Sequence, residues 1–167
     1  MKKIIAIIAF CFIGFTAANA QNYDMAVGVE GGSDDIGRFV GGMGITFKQF
    51  TSSGNFMDYK ANFVLGDGFG ALASATYDFN VPLTPGFSFF YGLGLEGGLF
   101  IGEYRDIHYG GNLLGGFFGN VGVEYAFSAI PFAVSLDWSP GIRLLIGDRV
   151  ASWFSYKGLC LGIKYTF

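Results

Sequence analysis

The chain has 167 residues, of which 51% are hydrophobic, 19% aromatic and only 14% charged, where ordinary soluble domains carry about 25% charged residues. So small a charged complement underfurnishes a water-facing surface. Ten Lys and Arg against thirteen Asp and Glu give a net charge of -3, with no basic patch, which argues against a nucleic-acid partner.

The first element is a leader. Lys2 and Lys3 precede an apolar run from Ile4 to Phe15, and Ala18-Asn19-Ala20 leads into the polar Gln21-Asn22-Tyr23-Asp24. Basic residues, a short apolar run and small residues before a polar stretch predict a cleaved secretory signal peptide over residues 1–20. The run falls short of the ~20 residues a spanning helix needs, and bulky Phe10 before Cys11 disfavours a lipoprotein. Cys11 then leaves with the leader, so residues 21–167 keep Cys160 alone and no intramolecular disulfide can form.

No later apolar run is long enough for a membrane helix, so any membrane crossing must be made by closed strands. Residues 21–167 divide into eight segments of period two. In the first, Tyr23, Met25, Val27 and Val29 alternate with Asp24, Ala26, Gly28 and Glu30. The second sets Phe39 to Phe47 in alternation against Val40 to Lys48, and the third sets Met57 to Leu65 against Asp58 to Val64. Ala71, Ala73, Ala75, Tyr77 and Phe79 make the fourth. The fifth and sixth carry Phe89, Tyr91, Leu93 and Leu95, then Phe117, Val121, Val123, Tyr125 and Phe127. The seventh has Phe132, Val134, Leu136 and Trp138, and the eighth has Leu159, Leu161, Ile163, Tyr165 and Phe167.

Alternation alone does not say which face meets solvent, because a soluble lipocalin-like barrel alternates with its apolar set inward. The second face decides the direction. It is mostly Gly, Ala, Ser, Thr and Asn with isolated charges, which suits the narrow lumen of an eight-stranded barrel. Connections near Ser52-Ser53-Gly54, Pro82 to Gly86 and Ser128 to Pro131 are short. Those near Gly31 to Gly37, Gly66 to Gly70, Gly98 to Asn112 and Gly141 to Ser152 alternate with them at the other end, the last two being the longest. Aromatics of the apolar parity, Tyr23, Phe47, Tyr77, Phe79, Phe87, Phe89, Tyr125, Phe127, Phe132, Tyr165 and Phe167, crowd the short-turn end, as in an interfacial girdle. Phe39, Phe63, Trp138 and Trp153 mark the other end.

The last strand, with Leu159, Leu161, Ile163 and Tyr165 leading to terminal Phe167, resembles the C-terminal assembly signal of bacterial outer-membrane barrels. With the leader and eight strands, residues 21–167 resemble the small barrels of the OmpA/OmpX-like, porin-like family. The resemblance implies an all-β, eight-stranded antiparallel up-and-down transmembrane barrel in the outer membrane, with both termini periplasmic and longer loops outside. It further implies handling by the barrel-assembly machinery, contact with outer-membrane lipid and lipopolysaccharide, a monomeric state and no cofactor.

Gly92-Leu93-Gly94-Leu95-Glu96-Gly97 matches G-x-G-x-x-G, but it lies inside a predicted strand with no helix after it, so no dinucleotide site is expected. Asp24, Glu30, Lys48, Asp58, Lys60, Asp78, Glu96, Glu124, Asp137 and Lys164 fall on the lumen face, with Arg38 near a strand top. Charges taken from water must be paired. Asp24 with Lys164, Lys48 between Asp24 and Asp58, and Lys60 beside Asp78 are the expected neighbours, and with Phe90 and Phe118 they fill the lumen. Lys157, on the apolar parity near the outer interface, is a candidate lipopolysaccharide contact. His108, the only histidine, stands near Asp106 without an evident serine partner. The leading expectation is therefore a non-enzymatic structural or surface-interaction barrel. A small-solute or ion channel and a lipid A-modifying enzyme are the alternatives, and fold alone does not choose among them.

Overall fold

Residues that alternate β-branched or aromatic side chains with small ones pack well on a pleated surface, and among the described residues they build ten strands. The structure, a computed structural model, describes residues 23–167 apart from 35–39, 52, 67, 105–106, 148–149 and 157; the side chains of 40, 103–104 and 107–111 also lie outside the description. The strands are β1 (Met25–Asp34), β2 (Val40–Phe50), β3 (Phe56–Leu65), β4 (Gly68–Thr84), β5 (Phe87–Tyr104), β6 (Ile107–Ala126), β7 (Phe132–Trp138), β8 (Gly141–Ile146), β9 (Val150–Ser155) and β10 (Leu159–Thr166).

Every pairing is antiparallel. Strands β1 to β6 pair in chain order, β6 pairs with β7, β7 with β10, and β10 with β1, which closes an eight-stranded barrel. β8 continues along β6 beyond β7, after a break at Ser139-Pro140, and β9 pairs with β8. β7 with β8, and β9 with β10, thus form the seventh and eighth staves.

The register fixes the tilt. From Val29 the pairing runs through Ile45, Ala61, Ala73, Gly97, Gly115 and Leu144 to Ser152, whereas Val29 itself pairs with Ile163 of the same last stave. That stagger inclines the strands to the barrel axis. It also carries the β8–β9 hairpin farther than the β1–β2 hairpin from the end where Tyr23 and Phe167 lie, here called the terminal end. At that end Gly54 (φ 79°) and Gly86 (φ 80°) supply the left-handed backbone of two tight turns.

The charges of the described strands lie inside and the exterior is apolar. Ile45, Leu93 and Leu95 are 62%, 60% and 63% exposed, while Lys48 is 0% and Arg143 1% exposed. The eight-segment alternation and its direction match the structure, with local departures. Gly98 to Asn112 and Gly141 to Ser152 are not long loops. They are largely strand, as β5–β6 and β8–β9, because their glycines interrupt apolar alternation without interrupting backbone pairing. Trp153, expected outside, turns inward, because the outward parity changes between Tyr156 and Leu159. It packs against a buried cluster of Val64, Leu72, Phe100, Leu114 and Leu145 toward the hairpin end.

Inward glycines make room for inward aromatics. A Cβ at Gly94 would lie 2.6 Å from Phe118 Cζ and 2.6 Å from Thr76 Cγ2, and one at Gly122 would lie 2.5 Å from Phe90 Cζ. Phe90 and Phe118, 3% and 4% exposed, fill the lumen through these gaps. Gly94→Leu should therefore overpack the interior and lose about 1–3 kcal/mol of stability. Urea unfolding in detergent micelles, followed by tryptophan fluorescence, measures that loss.

Candidate functional site

Among the described residues the lumen holds three ionic layers. Nearest the terminal end, Glu124 of β6 receives Lys48 of β2 at 2.7 Å and Lys164 of β10 at 3.3 Å. Lys164 also lies 3.7 Å from Asp58 and donates to Ser135 Oγ at 3.3 Å. Thr46 donates to Asp58, and the Tyr23 hydroxyl donates to Glu124. Rings surround Lys48 Nζ, with Phe56 at 3.7 Å, Phe50 at 4.8 Å, and Tyr23 and Phe90 each at 5.7 Å from their centroids. The charge is thus met by one carboxylate and by ring faces. Burial first, and then the Glu124 charge, push the Tyr23 hydroxyl above its ordinary range, so it stays protonated and acts as a donor.

In the middle layer Lys60 bridges Glu30 at 2.8 Å and Asp137 at 3.3 Å. Asp78 instead accepts from Thr76 Oγ1 at 2.6 Å and Asn120 Nδ2 at 3.0 Å, while Ser139 Oγ donates to Asn120 Oδ1 at 2.9 Å. Toward the hairpin end the Arg143 guanidinium spans the lumen between Asp34 of β1 and Glu96 of β5. Its Nη2 donates to Asp34 Oδ2 at 3.0 Å and to Glu96 Oε2 at 3.1 Å. One planar fork satisfies two carboxylates. Between these layers a cavity of about 50 Å³ is lined by Glu30, Asp34, Lys60, Asn62, Asp137 and Ser139, among others. A void of that size admits water, which would meet the buried Asn62 Oδ1 that has no protein partner among the described residues.

Glu30, Lys48, Asp58, Lys60, Asp78, Glu96, Glu124, Asp137 and Lys164 all lie buried in the lumen. Asp24 does not. It is exposed at a bend before β1 while Tyr23, expected in the girdle, turns inward; two-residue alternation stops where the strand stops. The expected neighbours also change. Lys48 lies opposite Asp58 in register but reaches across to Glu124; Lys60 takes Glu30 and Asp137 as its ion-pair partners, with Asp78 held by Thr76 and Asn120. Long side chains in a narrow barrel meet across it as readily as along the wall. Arg143 and Asp34 are not evident from the sequence, because both sit in stretches whose glycines read as loop. The signal was present: Arg143 shares parity with Gly141 and Leu145, and Asp34 with Glu30.

Leu159, Leu161, Ile163, Tyr165 and Phe167 are exposed on the outer face. The Phe167 amide donates to Met25 O at 2.9 Å, and the Met25 amide donates to Phe167 O at 3.0 Å. Lys157 and Arg38 lie outside the described residues, as does the His108 side chain; the His108 backbone pairs with Glu103 near the β5–β6 turn. Gly92 to Gly97 lies within β5, with Glu96 turned inward onto Arg143. Among the described residues no group of three His, Cys, Asp or Glu side chains is placed to hold a metal ion. No protein-family model matches the chain, and no curated protein matches it in sequence.

Within the described lumen, this arrangement places each lysine and arginine beside carboxylates. Arg143→Met would leave Asp34 and Glu96 facing one another without their cation, at a cost of about 3–5 kcal/mol. Adding Glu96→Gln should recover part of that loss. Paired urea titrations of the single and double variants read both effects.

Proposed function

We propose that this protein is an exported integral barrel of the bacterial outer membrane, of the small OmpA/OmpX-like kind. In this reading both chain ends lie on the periplasmic side, and the hairpins at the opposite end form a surface-interaction platform. One observation carries the proposal: among the described strand residues, no Asp, Glu, Lys or Arg points outward. Outward positions are instead filled by side chains such as Val29, Ile45, Phe63, Leu95, Phe117, Ile142 and Leu161, all at least half exposed. An apolar shell this continuous far exceeds the patches a monomer tolerates in water. It is what a hydrocarbon band about 25 Å tall requires.

The exposed ring of Tyr59, Tyr77, Phe79, Tyr125, Phe127, Phe132, Tyr165 and Phe167 at the terminal end fits an aromatic girdle at one interface. Residues 1–20 would supply the export leader, Leu159 to Phe167 the address read during assembly, and Lys157 a contact for lipopolysaccharide phosphates. The filled lumen favours a scaffold over a pore, and what varies in use is then the chemistry displayed by the hairpins. A cation path is the second reading, favoured by a lumen whose carboxylates, among the described residues, outnumber its lysines and arginine.

Leu95 stands midway along the membrane-facing side of β5. Leu95→Arg should cost about 2–4 kcal/mol for folding into lipid vesicles, the penalty of arginine near a bilayer midplane. If both mutant and parent fold to a stable barrel without lipid or detergent, the membrane assignment is wrong. Planar-bilayer recording of the parent protein should show no steady conductance; steady cation-selective openings would transfer the assignment to the channel.

A further inference from the structure

At the terminal end of the barrel, Tyr23 lies between the buried Lys48–Glu124 pair and the exterior. β1 begins at Met25, and the chain ahead of it bends at Asp24. Backbone bonds fix the bend: the amides of Asp24 and Met25 donate to Phe167 O at 3.3 and 3.0 Å, and the Phe50 amide donates to Asp24 O at 2.9 Å. Beyond the bend, Tyr23 is held through its side chain. Its hydroxyl reaches Glu124 on β6, and its ring meets Phe50 edge-on at 5.2 Å between centroids.

The two sides of that ring differ sharply. On the inner side lie Lys48, Glu124 and Lys164, 0%, 1% and 3% exposed. On the outer side is an open vestibule of about 440 Å³, lined by Tyr23 together with Gly86, Tyr125, Ile130, Thr166 and Phe167, among others. Of the four rings around Lys48, Tyr23 is the one that also lines the vestibule.

We propose that Tyr23 is a stopper, hinged at Asp24, that seals the Lys48–Glu124–Lys164 layer from the vestibule and can be withdrawn while the barrel wall stays closed. The hinge bonds to Phe167 and Phe50 lie on the barrel side of Tyr23, so swinging the ring out breaks the hydroxyl bond, the Phe50 contact and the ring's contact with Lys48 but none of the strand ladder. Withdrawal admits water to Lys48 and Lys164. The inference concerns the folded barrel itself and stands apart from its placement in a membrane.

Ser135 reports on the sealed layer, being 2% exposed with its hydroxyl 3.3 Å from Lys164 Nζ. The test places Ser135→Cys in a Cys11→Ser, Cys160→Ala background, folds the protein in detergent and follows modification by a cationic methanethiosulfonate reagent. Tyr23→Ala should speed labelling about tenfold or more, on the scale of losing a hydrogen bond to a charged group. Tyr23→Phe, which keeps the ring and loses the hydroxyl, should fall between Tyr23→Ala and the parent. Gel mobility of unboiled samples confirms that each variant is a closed barrel. Parent-like labelling in Tyr23→Ala overturns the stopper, as does parent labelling as fast as that of the unfolded chain. Should Tyr23→Ala fail to fold, Tyr23→Phe decides alone: faster labelling than parent sustains the stopper, and an unchanged rate overturns it.

Discussion

The constraint on which the rest of this structure depends is that a strand has two faces and this chain assigns them opposite solvents. Apolar and aromatic side chains take the outside at every second residue, so each charge in the described strands is directed into a lumen too narrow to hydrate it freely. Buried charges survive only when paired. The lumen therefore cannot be a loose collection of polar groups; each lysine or arginine determines where carboxylates must stand. Arg143 is placed to serve Asp34 and Glu96 together, and Glu124 to serve Lys48 and Lys164.

That pairing in turn dictates the glycines. A barrel of eight strands has little interior, and Arg143, Phe90 and Phe118 would not fit beside full side chains on every inward position. Gly94 and Gly122 give up their volume to the rings opposite, and Gly116 gives up its volume to Glu96, whose Oε1 would lie 2.7 Å from an added Cβ. The glycine content is thus a packing requirement of the filled lumen more than a sign of loops. Asp78 shows the other solution, a buried carboxylate met by neutral donors from Thr76 and Asn120.

Period-two alternation made the barrel and its inside-out polarity legible in the sequence, since strand parity needs no knowledge of partners. It failed where parity breaks. Tyr23 and Asp24 exchange faces because the strand starts two residues later, at Met25, and Trp153 turns in because parity changes between Tyr156 and Leu159. Which lumen charges meet was less legible still. Alternation places Lys48 and Glu124 inside, yet only the closed circle brings β2 opposite β6, and no local spacing encodes a contact between residues so far apart in the chain. Arg143 was hidden by glycine and proline on its flanks, which read as loop although the backbone there stays in register.

The sharing of Glu124 has a consequence for the order of assembly. Its donors come from the chain entering β1, from β2 and from β10, so they arrive from both sides of the seam where the first and last strands meet. An incompletely zipped chain can supply some of these donors but not all. The carboxylate acts as a coincidence detector, fully compensated only after the chain has come full circle. A half-built intermediate therefore leaves this carboxylate short of donors that only the closed circle provides.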